Sequence, residues 1–361
     1  MPAKLTNGTF CALPFIEKFQ HLDGQQYFCC YSKIPIDDIA SKDSDELREK
    51  IWNGEKIPHC ARCYQQDSNK VISPRLLESV RWMKNPEVKD YVTNWQPGDR
   101  PNIFYYDLRF DNKCNLACIS CNPKDSSLWA KELNVTVPRF DTVIDIDQCI
   151  QAKKVYLAGG EPLIIEQFID LIERIAESDT QPELVINTNL TTISDRVNAS
   201  LQKIKNLTMV VSVDAYESVN EYHRWPLKWE KFLKNLTWLR EEVKCTIQFN
   251  TVVDAVSIIN LAELVNIEDF ADMWNLSILI HPAALSINNL PKAHKAQVLE
   301  NFVKIKQSKF YSKDPTFKTR VDSAITAVNT VGDPTALSQY IAEIDQRRNL
   351  DHQQYLKIKL T

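Results

Sequence analysis

The chain has 361 residues, of which 44% are hydrophobic, and a formal net charge of −4. Such a chain is long enough for one large domain with additions, or for two domains. A near-neutral charge without a long basic block argues against a dedicated nucleic-acid-binding surface. The sequence has no apolar run long enough for a signal peptide or a membrane span, so we expect a cytoplasmic protein without membrane partners.

Residues 1–100 are predicted to form a cysteine-rich module that ends in a linker helix. A hairpin strand is predicted over residues 27–31, and helices over 44–53 and 73–84. The module holds five of the ten cysteines of the chain, namely Cys11, Cys29, Cys30, Cys60 and Cys63. Four thiols are enough to close a metal site, and their spacing does not separate zinc from an iron–sulfur cluster.

A second cysteine motif follows a predicted buried strand, residues 104–110. Cys114, Cys118 and Cys121 have a C-x3-C-x2-C spacing on the loop that leaves this strand. Three thiols are one short of a closed tetrahedral zinc site, but they suit a [4Fe–4S] cluster whose fourth iron stays open for a ligand. Buried or zinc-binding cysteines are the alternative interpretation.

Strands and helices alternate over residues 101–290, which predicts parallel β/α units and an α/β fold. The predicted strands cover residues 104–110, 154–157, 183–187, 208–213, 245–252 and 277–281. Six such units fit a partial (β/α)6 TIM-like barrel, in which ligands lie at the carboxyl ends of the strands. Polar residues that follow these strands are therefore candidates for a binding site.

The strongest candidate is the run Gly159-Gly160-Glu161-Pro162 after the second strand. Glycine is scarce in this chain, at 7 of 361 residues, so the pair stands out. Two glycines allow the backbone to approach a ligand closely, although an ordinary strand-to-helix turn has a similar composition.

Further polar residues follow the third and fourth strands. Asn187 ends the third strand, and Ser212 and Asp214 lie at the end of the fourth. Asparagine and aspartate at such positions are also common turn formers, so these residues alone leave both interpretations open. Arg224 offers a planar fork that suits a carboxylate, and a surface salt bridge is its alternative role.

The segments NKCNLACISC and GGEP resemble the motifs of the radical S-adenosylmethionine (SAM) superfamily. The resemblance implies the partial barrel, a [4Fe–4S] cluster bound by Cys114, Cys118 and Cys121, and SAM bound to the open iron. In that family the residue before the last cysteine is commonly aromatic and contacts adenine, whereas this chain has Ser120. We therefore assign no residue to adenine packing.

The resemblance also implies a set of SAM-binding residues in the glycine-rich run and at the polar strand ends. The backbone of the run would meet the SAM amino group, and the arginine would pair with the SAM carboxylate. The implied residues are Gly159, Gly160, Glu161, Pro162, Asn187, Ser212, Asp214 and Arg224.

The N-terminal module resembles the auxiliary-cluster modules called SPASM and twitch domains. The resemblance rests on FCALPF, on Gly24 five residues before Cys29, and on CARC. It implies an auxiliary [4Fe–4S] cluster, with Cys29 preferred to Cys30. The implied ligands are Cys11, Cys29, Cys60 and Cys63. Such modules usually follow the barrel, whereas this one precedes it, and a zinc knuckle or buried cysteines are the alternative.

Residues 291–361 are predicted to form a helical extension that covers an open side of the barrel or contacts a partner. Amphipathic spacing over residues 337–344 supports a helix there. The nearby Asp345, Arg347 and Arg348 are assigned to a solvated charged face in preference to a substrate contact.

The resemblance predicts an enzyme that cleaves SAM with an electron from an external donor, giving methionine and a 5′-deoxyadenosyl radical. That radical would abstract hydrogen from a substrate, which by resemblance to SPASM and twitch proteins is a peptide or protein side chain. A small molecule or a modified nucleobase is the alternative substrate. The alternative of another class is a non-enzymatic zinc or iron–sulfur protein that binds a partner, and such a protein has no need of the glycine-rich run.

Overall fold

The computed structural model describes residues 8–69, 72–109, 111–138, 145–356 and 358. The chain forms two compact units whose segments interleave along the sequence. The first unit comprises Met1–Asp111, Pro138–Gly159 and Ser178–Leu184, and the second comprises Asn112–Val137, Gly160–Glu177 and Val185–Thr361. The domain boundaries predicted near residues 100 and 290 stay predictions.

Strands and helices alternate through most of the described residues. The strands are β1 (Glu17–Gln20), β2 (Gln26–Tyr27), β3 (Tyr105–Leu108), β4 (Lys154–Leu157), β5 (Glu183–Thr188), β6 (Leu207–Ser212), β7 (Thr246–Val253) and β8 (Met273–Ile278). The helices are α1 (Leu13–Ile16), α2 (Lys42–Trp52), α3 (Ala61–Ser68), α4 (Pro74–Trp82), α5 (Pro86–Asn94), α6 (Ser127–Glu132), α7 (Ile146–Gln151), α8 (Glu166–Glu177), α9 (Asp195–Leu201), α10 (Glu217–His223), α11 (Trp229–Glu242), α12 (Lys292–Ile305), α13 (Lys309–Lys313), α14 (Pro315–Asn329), α15 (Pro334–Arg348) and α16 (His352–Leu356). Short 3-10 helices cover Pro58–Cys60, Pro162–Ile164, Ser257–Ile259, Leu261–Phe270, Ala283–Leu285 and Ile287–Asn289.

The strands of the first unit follow the order β2-β1-β3-β4. β1 pairs antiparallel with β2, which confirms a hairpin here, although its second strand covers Gln26–Tyr27 rather than residues 27–31. On its other edge β1 pairs in parallel with β3, and β3 pairs in parallel with β4. The parallel partner β1 is not predicted from the sequence, because EKFQ is short and mostly polar. Phe110, the end of the predicted first barrel strand, lies outside the described residues.

Local capping explains the two predicted helices of the module. Ser41 and Ser73 accept hydrogen bonds from backbone N–H groups in the first turns of α2 and α4, and Pro74 occupies the first turn of α4. Gly54 has a φ of +88° just after α2, as expected for a glycine that ends a helix. Both predicted helices are thus confirmed, with ends shifted by about two residues.

The strands of the second unit follow the order β5-β6-β7-β8. β6 pairs in parallel with β7, and β7 in parallel with β8. Along β7 every second residue is buried, so one face of the strand packs on a core and the other carries half-buried residues. The predicted last strand, residues 277–281, is wrong in its start: β8 begins at Met273, because Trp274 and Leu276 supply its buried face.

Strands β3–β8 alternate with helices, and parallel pairs occur in both units. This confirms the predicted α/β class and the strand–helix order of a partial (β/α)6 TIM-like barrel. The predicted C-terminal helices are confirmed as α12, α14 and α15. Within the described segments, no helix is both long and apolar enough to cross a bilayer.

Candidate active site

The second unit begins with the cysteine loop, which we define as residues 114–121. The loop is tied to the start of α6: the Ser127 hydroxyl accepts from the N–H of Cys114 at 3.1 Å, and the Ser126 hydroxyl donates to the carbonyl of Leu116 at 2.6 Å. Ser126 also caps α6 through the N–H of Trp129. The loop therefore has no regular secondary structure but is held by side-chain hydrogen bonds.

Burial raises the pKa of all three thiols in the loop. Burial raises the pKa of Cys114 to about 12, and the nearby Cys118 raises it further. Burial also raises the pKa of Cys121, again with Cys118 as the next contribution. A metal or cluster must bind the thiolates, so binding here would release protons from closely spaced thiols.

Two side chains direct N–H groups at these sulfurs. Asn189 Nδ2 lies 4.0 Å from Cys114 Sγ, and Arg224 Nη1 lies 3.9 Å from Cys118 Sγ. Hydrogen bonds to cysteine sulfur are among the features that set the properties of iron–sulfur clusters. The donor set of three thiols with N–H groups around them thus fits a [4Fe–4S] cluster.

The predicted glycine-rich run packs against the chain next to the cysteine loop. A side chain at Gly160 would place its Cβ 2.2 Å from the carbonyl oxygen of Lys113, and Gly159 has a φ of +118°. The N–H of Glu161 donates to the same Lys113 carbonyl at 2.8 Å. Pro162 begins a 3-10 helix. Glycine is therefore required at position 160 by the close approach of the backbone itself.

Glu161 is buried, and protein donors satisfy both of its carboxylate oxygens. One oxygen accepts from the Thr188 hydroxyl at 2.6 Å and from the N–H of Leu163, and the other accepts from the N–H of Asn189 at 2.6 Å. Burial raises the pKa of Glu161 to about 7 in spite of these hydrogen bonds, which lower it. Asn189, which was not predicted as a site residue although it lies two residues after Asn187, also donates to Asn115 at 2.9 Å.

Arg224 belongs to a buried cluster of four charged side chains. Its Nη2 lies 2.7 Å from Asp214 Oδ2, and His223 lies 3.0 Å from Asp214 and 2.6 Å from Asp254. All four residues are buried, so the alternative of a surface salt bridge for Arg224 is wrong. Neither Asp254 nor His223 is among the site residues predicted from the sequence.

The electrostatics of this cluster are balanced. Burial lowers the pKa of His223, but Asp254 and Asp214 raise it more, to about 10. Burial raises the pKa of Asp214, but Arg224 and His223 hold it well below its usual range. Two cations therefore face two carboxylates in a region shielded from water.

The other predicted polar residues lie on the half-buried faces of their strands. Asn187 and Ser212 are joined by a hydrogen bond of 3.3 Å across β5 and β6. Asn250 and Asn275 are joined in the same way, at 2.9 Å, across β7 and β8. This face of the second unit thus carries amide and hydroxyl groups on neighbouring strands.

The first unit holds the other cysteine set, which we call the four-cysteine site. Cys11, Cys29, Cys60 and Cys63 line a single cavity, whereas Cys30 is not among its lining residues. Burial raises the pKa of Cys60 to about 11, with Cys63 as the next contribution. Burial and Cys60 likewise raise the pKa of Cys11.

The charged face predicted on the last long helix is wrong for two of its three residues. Arg348 is buried, with 1% of its side chain exposed, and Asp345 accepts a hydrogen bond from Tyr222 and contacts His352 at 2.7 Å. Arg347 is the partly exposed member, at 32%. A pattern of charges on a helix does not distinguish a solvated arginine from one that is buried and paired.

Residues 108–267 match the family described as Radical SAM superfamily. The chain is 22% identical to the GTP 3′,8-cyclase of Desulforamulus reducens over 151 residues, which cover 40% of this chain and 46% of that protein. It is 33% identical to the GTP 3′,8-cyclase of Clostridium perfringens strain SM101 over 96 residues, 26% of this chain and 30% of that protein. The matched stretch thus spans less than half the length of each of these relatives.

Among solved structures, Streptococcus suis SuiB is 16% identical, with a TM-score of 0.41 over 74% of this chain and 63% of that chain. Native anSMEcpe with bound AdoMet is 15% identical, with a TM-score of 0.43 over 58% of this chain and 62% of that chain. The family match and the curated relatives show that the chain contains a radical SAM domain, whose matched part is residues 108–267.

Proposed function

We propose that the protein is a radical SAM enzyme that reductively cleaves SAM and uses the resulting 5′-deoxyadenosyl radical to abstract hydrogen from a substrate. The observation that carries the proposal is the cysteine loop itself: three thiols on one loop that is tied to α6, with N–H donors from Asn189 and Arg224 at two of the sulfurs. When bound, the cluster and SAM supply the electron transfer and the radical, and the protein supplies binding, orientation and exclusion of water.

In this proposal the cluster is bound by Cys114, Cys118 and Cys121. The SAM-binding residues are Gly159, Gly160, Glu161, Pro162, Asn187, Ser212, Asp214 and Arg224. The proposed role of Arg224 in SAM binding is supported by its buried Nε, which has no hydrogen-bond partner among the described residues. A buried donor without a partner costs about 1–3 kcal/mol, and a carboxylate of SAM would remove that cost. Asp214 would hold the guanidinium in place, and Glu161 would fix the strand ends through its three donors.

The four-cysteine site is proposed to bind an auxiliary [4Fe–4S] cluster. Its support is that one cavity is lined by the four thiols that the resemblance implies, with Cys29 and not Cys30 among them. Four thiols also suit zinc, so the metal content decides between the two. An external electron donor would reduce the protein, which we propose to be cytoplasmic.

A peptide or protein side chain remains our proposed substrate class. The small-molecule or nucleobase alternative is favoured by a specific observation, since the curated relatives are named for the cyclisation of GTP. The half-buried amides and hydroxyls on β5–β8 are neutral hydrogen-bonding groups that suit either class.

The test is anaerobic reconstitution of the full chain with iron and sulfide, followed by dithionite and SAM and an assay for 5′-deoxyadenosine. We expect a brown protein with about eight irons if both clusters contain four. The wild type should form 5′-deoxyadenosine, and Cys114→Ala should not. A colourless protein with stoichiometric zinc, or equal product from Cys114→Ala, would refute the proposal.

A further inference from the structure

The centre of the cysteine loop is hydrogen-bonded on both its N–H and its carbonyl groups. The N–H of Ala117 donates to the carbonyl of Trp225 at 2.7 Å, and the N–H of Ile119 donates to the carbonyl of His223 at 2.8 Å. The loop therefore runs beside the segment that carries Arg224, in the manner of a short strand pair. Any displacement of residues 117–119 would move Cys118 away from the guanidinium that faces it.

The carbonyl groups of the same three residues accept hydrogen bonds from side chains. The Trp129 indole donates to Cys118 at 2.7 Å, and the Tyr340 hydroxyl donates to Ile119 at 2.7 Å. The guanidinium of Arg348 donates to Ala117 at 2.8 Å. Two of these three donors belong to α15, more than 200 residues further along the chain.

Arg348 is built into this position by its surroundings. Its guanidinium carbon lies 4.7 Å from the ring centroid of Trp129 and 4.9 Å from that of Trp225. Its Nε donates to the carboxylate of Glu132 at 3.1 Å, which balances the buried charge. Arginine suits such a site because a planar, weakly hydrated cation stacks on aromatic rings while its fork donates in the plane.

The geometry points to α15 as a brace of the cysteine loop, with Arg348 and Tyr340 as positioning residues for the cluster. Helix α15 then helps to position the cluster ligands, rather than only covering the barrel or contacting a partner. The inference rests on the proposed function, because it assigns these residues to the site that the three cysteines form. Without the hydrogen bonds from Arg348 and Tyr340, we expect the protein to fold but the three thiols of the loop to adopt several arrangements.

The cation of Arg348 has a second consequence. Its guanidinium donates to the carbonyl of Ala117, the residue before Cys118, and so places a positive charge beside this ligand. Positive charge near a cluster favours its reduced form, since reduction adds an electron. Loss of this charge should therefore make the cluster harder to reduce, independently of how much cluster is bound.

The experiment compares Arg348→Gln, Arg348→Lys and Tyr340→Phe with the wild type in the full chain. In the metal-free protein, hydrogen exchange of the amides of residues 117 and 119 should be about tenfold faster in Arg348→Gln and Tyr340→Phe, as expected when a buried hydrogen bond is lost. In the reconstituted Arg348→Gln and Tyr340→Phe proteins, the electron paramagnetic resonance signal of the reduced cluster, which shifts when SAM is added, should be weaker than in the wild type. Arg348→Lys should keep the wild-type reduction potential, because it keeps the charge, but should show the faster exchange.

Arg347→Gln is the matched control, because it removes a positive charge from the neighbouring residue of the same helix. The described contacts of Arg347 are Glu132 and the ring of Trp129, and it donates to no loop carbonyl among the described residues. It should exchange at the wild-type rate. Tyr340→Phe keeps the test decisive if Arg348→Gln does not fold, because it removes a single oxygen. Wild-type exchange and a wild-type SAM-dependent signal in Tyr340→Phe and Arg348→Lys would overturn the brace. Absence of that signal from the wild type would instead refute the proposed function.

Discussion

The two cysteine sites place their sulfurs in different surroundings. In the first unit, the cavity of the four-cysteine site is lined by aliphatic and aromatic residues, by one histidine and by two arginines, namely Leu13, Pro14, Phe28, Tyr31, His59, Arg62 and Arg75. In the second unit, the cysteine loop faces the amide of Asn189 and the guanidinium of Arg224. Four thiols in one cavity can complete the coordination of a metal centre by themselves. Three thiols beside a guanidinium whose buried Nε has no hydrogen-bond partner among the described residues leave room for a ligand that carries charge, and this difference separates a supporting centre from a reactive one.

The two cysteine sites share one feature, and comparing it shows how their surroundings differ. Each site has a buried arginine that donates to the carbonyl of the residue just before a cysteine: Arg75 to Phe10 at 2.6 Å, and Arg348 to Ala117 at 2.8 Å. All three nitrogens of the Arg75 fork are bonded, to Phe10 and to Asp67. Arg348 has a buried Nη1 without a hydrogen-bond partner among the described residues. The fork of Arg75 is therefore fully bonded, whereas the fork of Arg348 is not.

The largest effect should come from removing one cysteine at each site. Cys118→Ala should reduce 5′-deoxyadenosine formation to background, because no other thiol of the loop can replace the lost ligand. Cys60→Ala should retain SAM cleavage while its iron content falls from about eight to about four per chain. Iron analysis and product assay on the same reconstituted samples make the comparison. Loss of SAM cleavage in a folded Cys60→Ala protein would show that the two sites do not have separate roles.

Arg75→Met should be the most destabilising of the single substitutions outside the cysteines. It removes the cation paired with Asp67 and leaves the Phe10 carbonyl without its donor, and breaking such a buried pair costs about 3–5 kcal/mol. Chemical denaturation of the metal-free protein would measure the change.

Arg62→Met is the matched control for that substitution, because Arg62 is an exposed arginine that lines the same cavity and lies 5.9 Å above the ring of Tyr31. Its effect should be about 1 kcal/mol or less. Equal losses in the two variants would mean that Arg75 stabilises the first unit through its charge alone and not through its bonds.

The two sites should also respond to pH in opposite directions. Asp254 and Asp214 raise the pKa of His223 to about 10 against the effect of burial, so its contribution to stability is complete below about pH 6.5 and is lost as the pH rises toward 10. Burial lowers the pKa of His59, which lines the four-cysteine cavity, so its contribution is lost as the pH falls below about 6.5.

Unfolding free energies measured from pH 5 to pH 10 would test this opposition. His223→Asn should flatten the alkaline side by about 2–4 kcal/mol and leave the acid side unchanged. His59→Asn should flatten the acid side only. An alkaline limb that persists in His223→Asn would mean that the histidine is neutral between its two carboxylates.

Much of the frame of the second unit could be predicted from the sequence because the relevant patterns are local. The cysteine spacing, the glycine pair and the buried strands each occupy fewer than ten residues, and their backbone consequences follow from residue type. In the first unit, the strand Lys154–Leu157 is predicted with its observed ends for the same reason.

The contacts that complete the site could not be predicted, since they join residues far apart in the chain. His223 and Asp254 are 31 residues apart, and Arg348 is 231 residues from Ala117. Nothing in the spacing of charges distinguishes a buried arginine between two tryptophans from one in water. The edge strand β1 escaped prediction for a related reason, because its stability comes from pairing with β3 rather than from its own four residues.

Apart from the control substitutions, the smallest of these effects on stability should be that of Gly160→Ala, which changes one site alone. The added Cβ would lie 2.2 Å from the carbonyl oxygen of Lys113, an atom of the backbone that cannot rotate away, so the run and the start of the cysteine loop must separate. Overpacking of this kind costs about 1–3 kcal/mol.

In Gly160→Ala, the SAM-dependent change in the signal of the reduced cluster should be lost, and the iron of the four-cysteine site should be kept. Gly8→Ala, whose Cβ would meet no atom of the described residues within 4 Å, should change neither quantity. If Gly160→Ala retained the SAM response, the close packing of the glycine run would be a matter of folding only, and the functional contrast between the two sites would rest on the cysteines and Arg224.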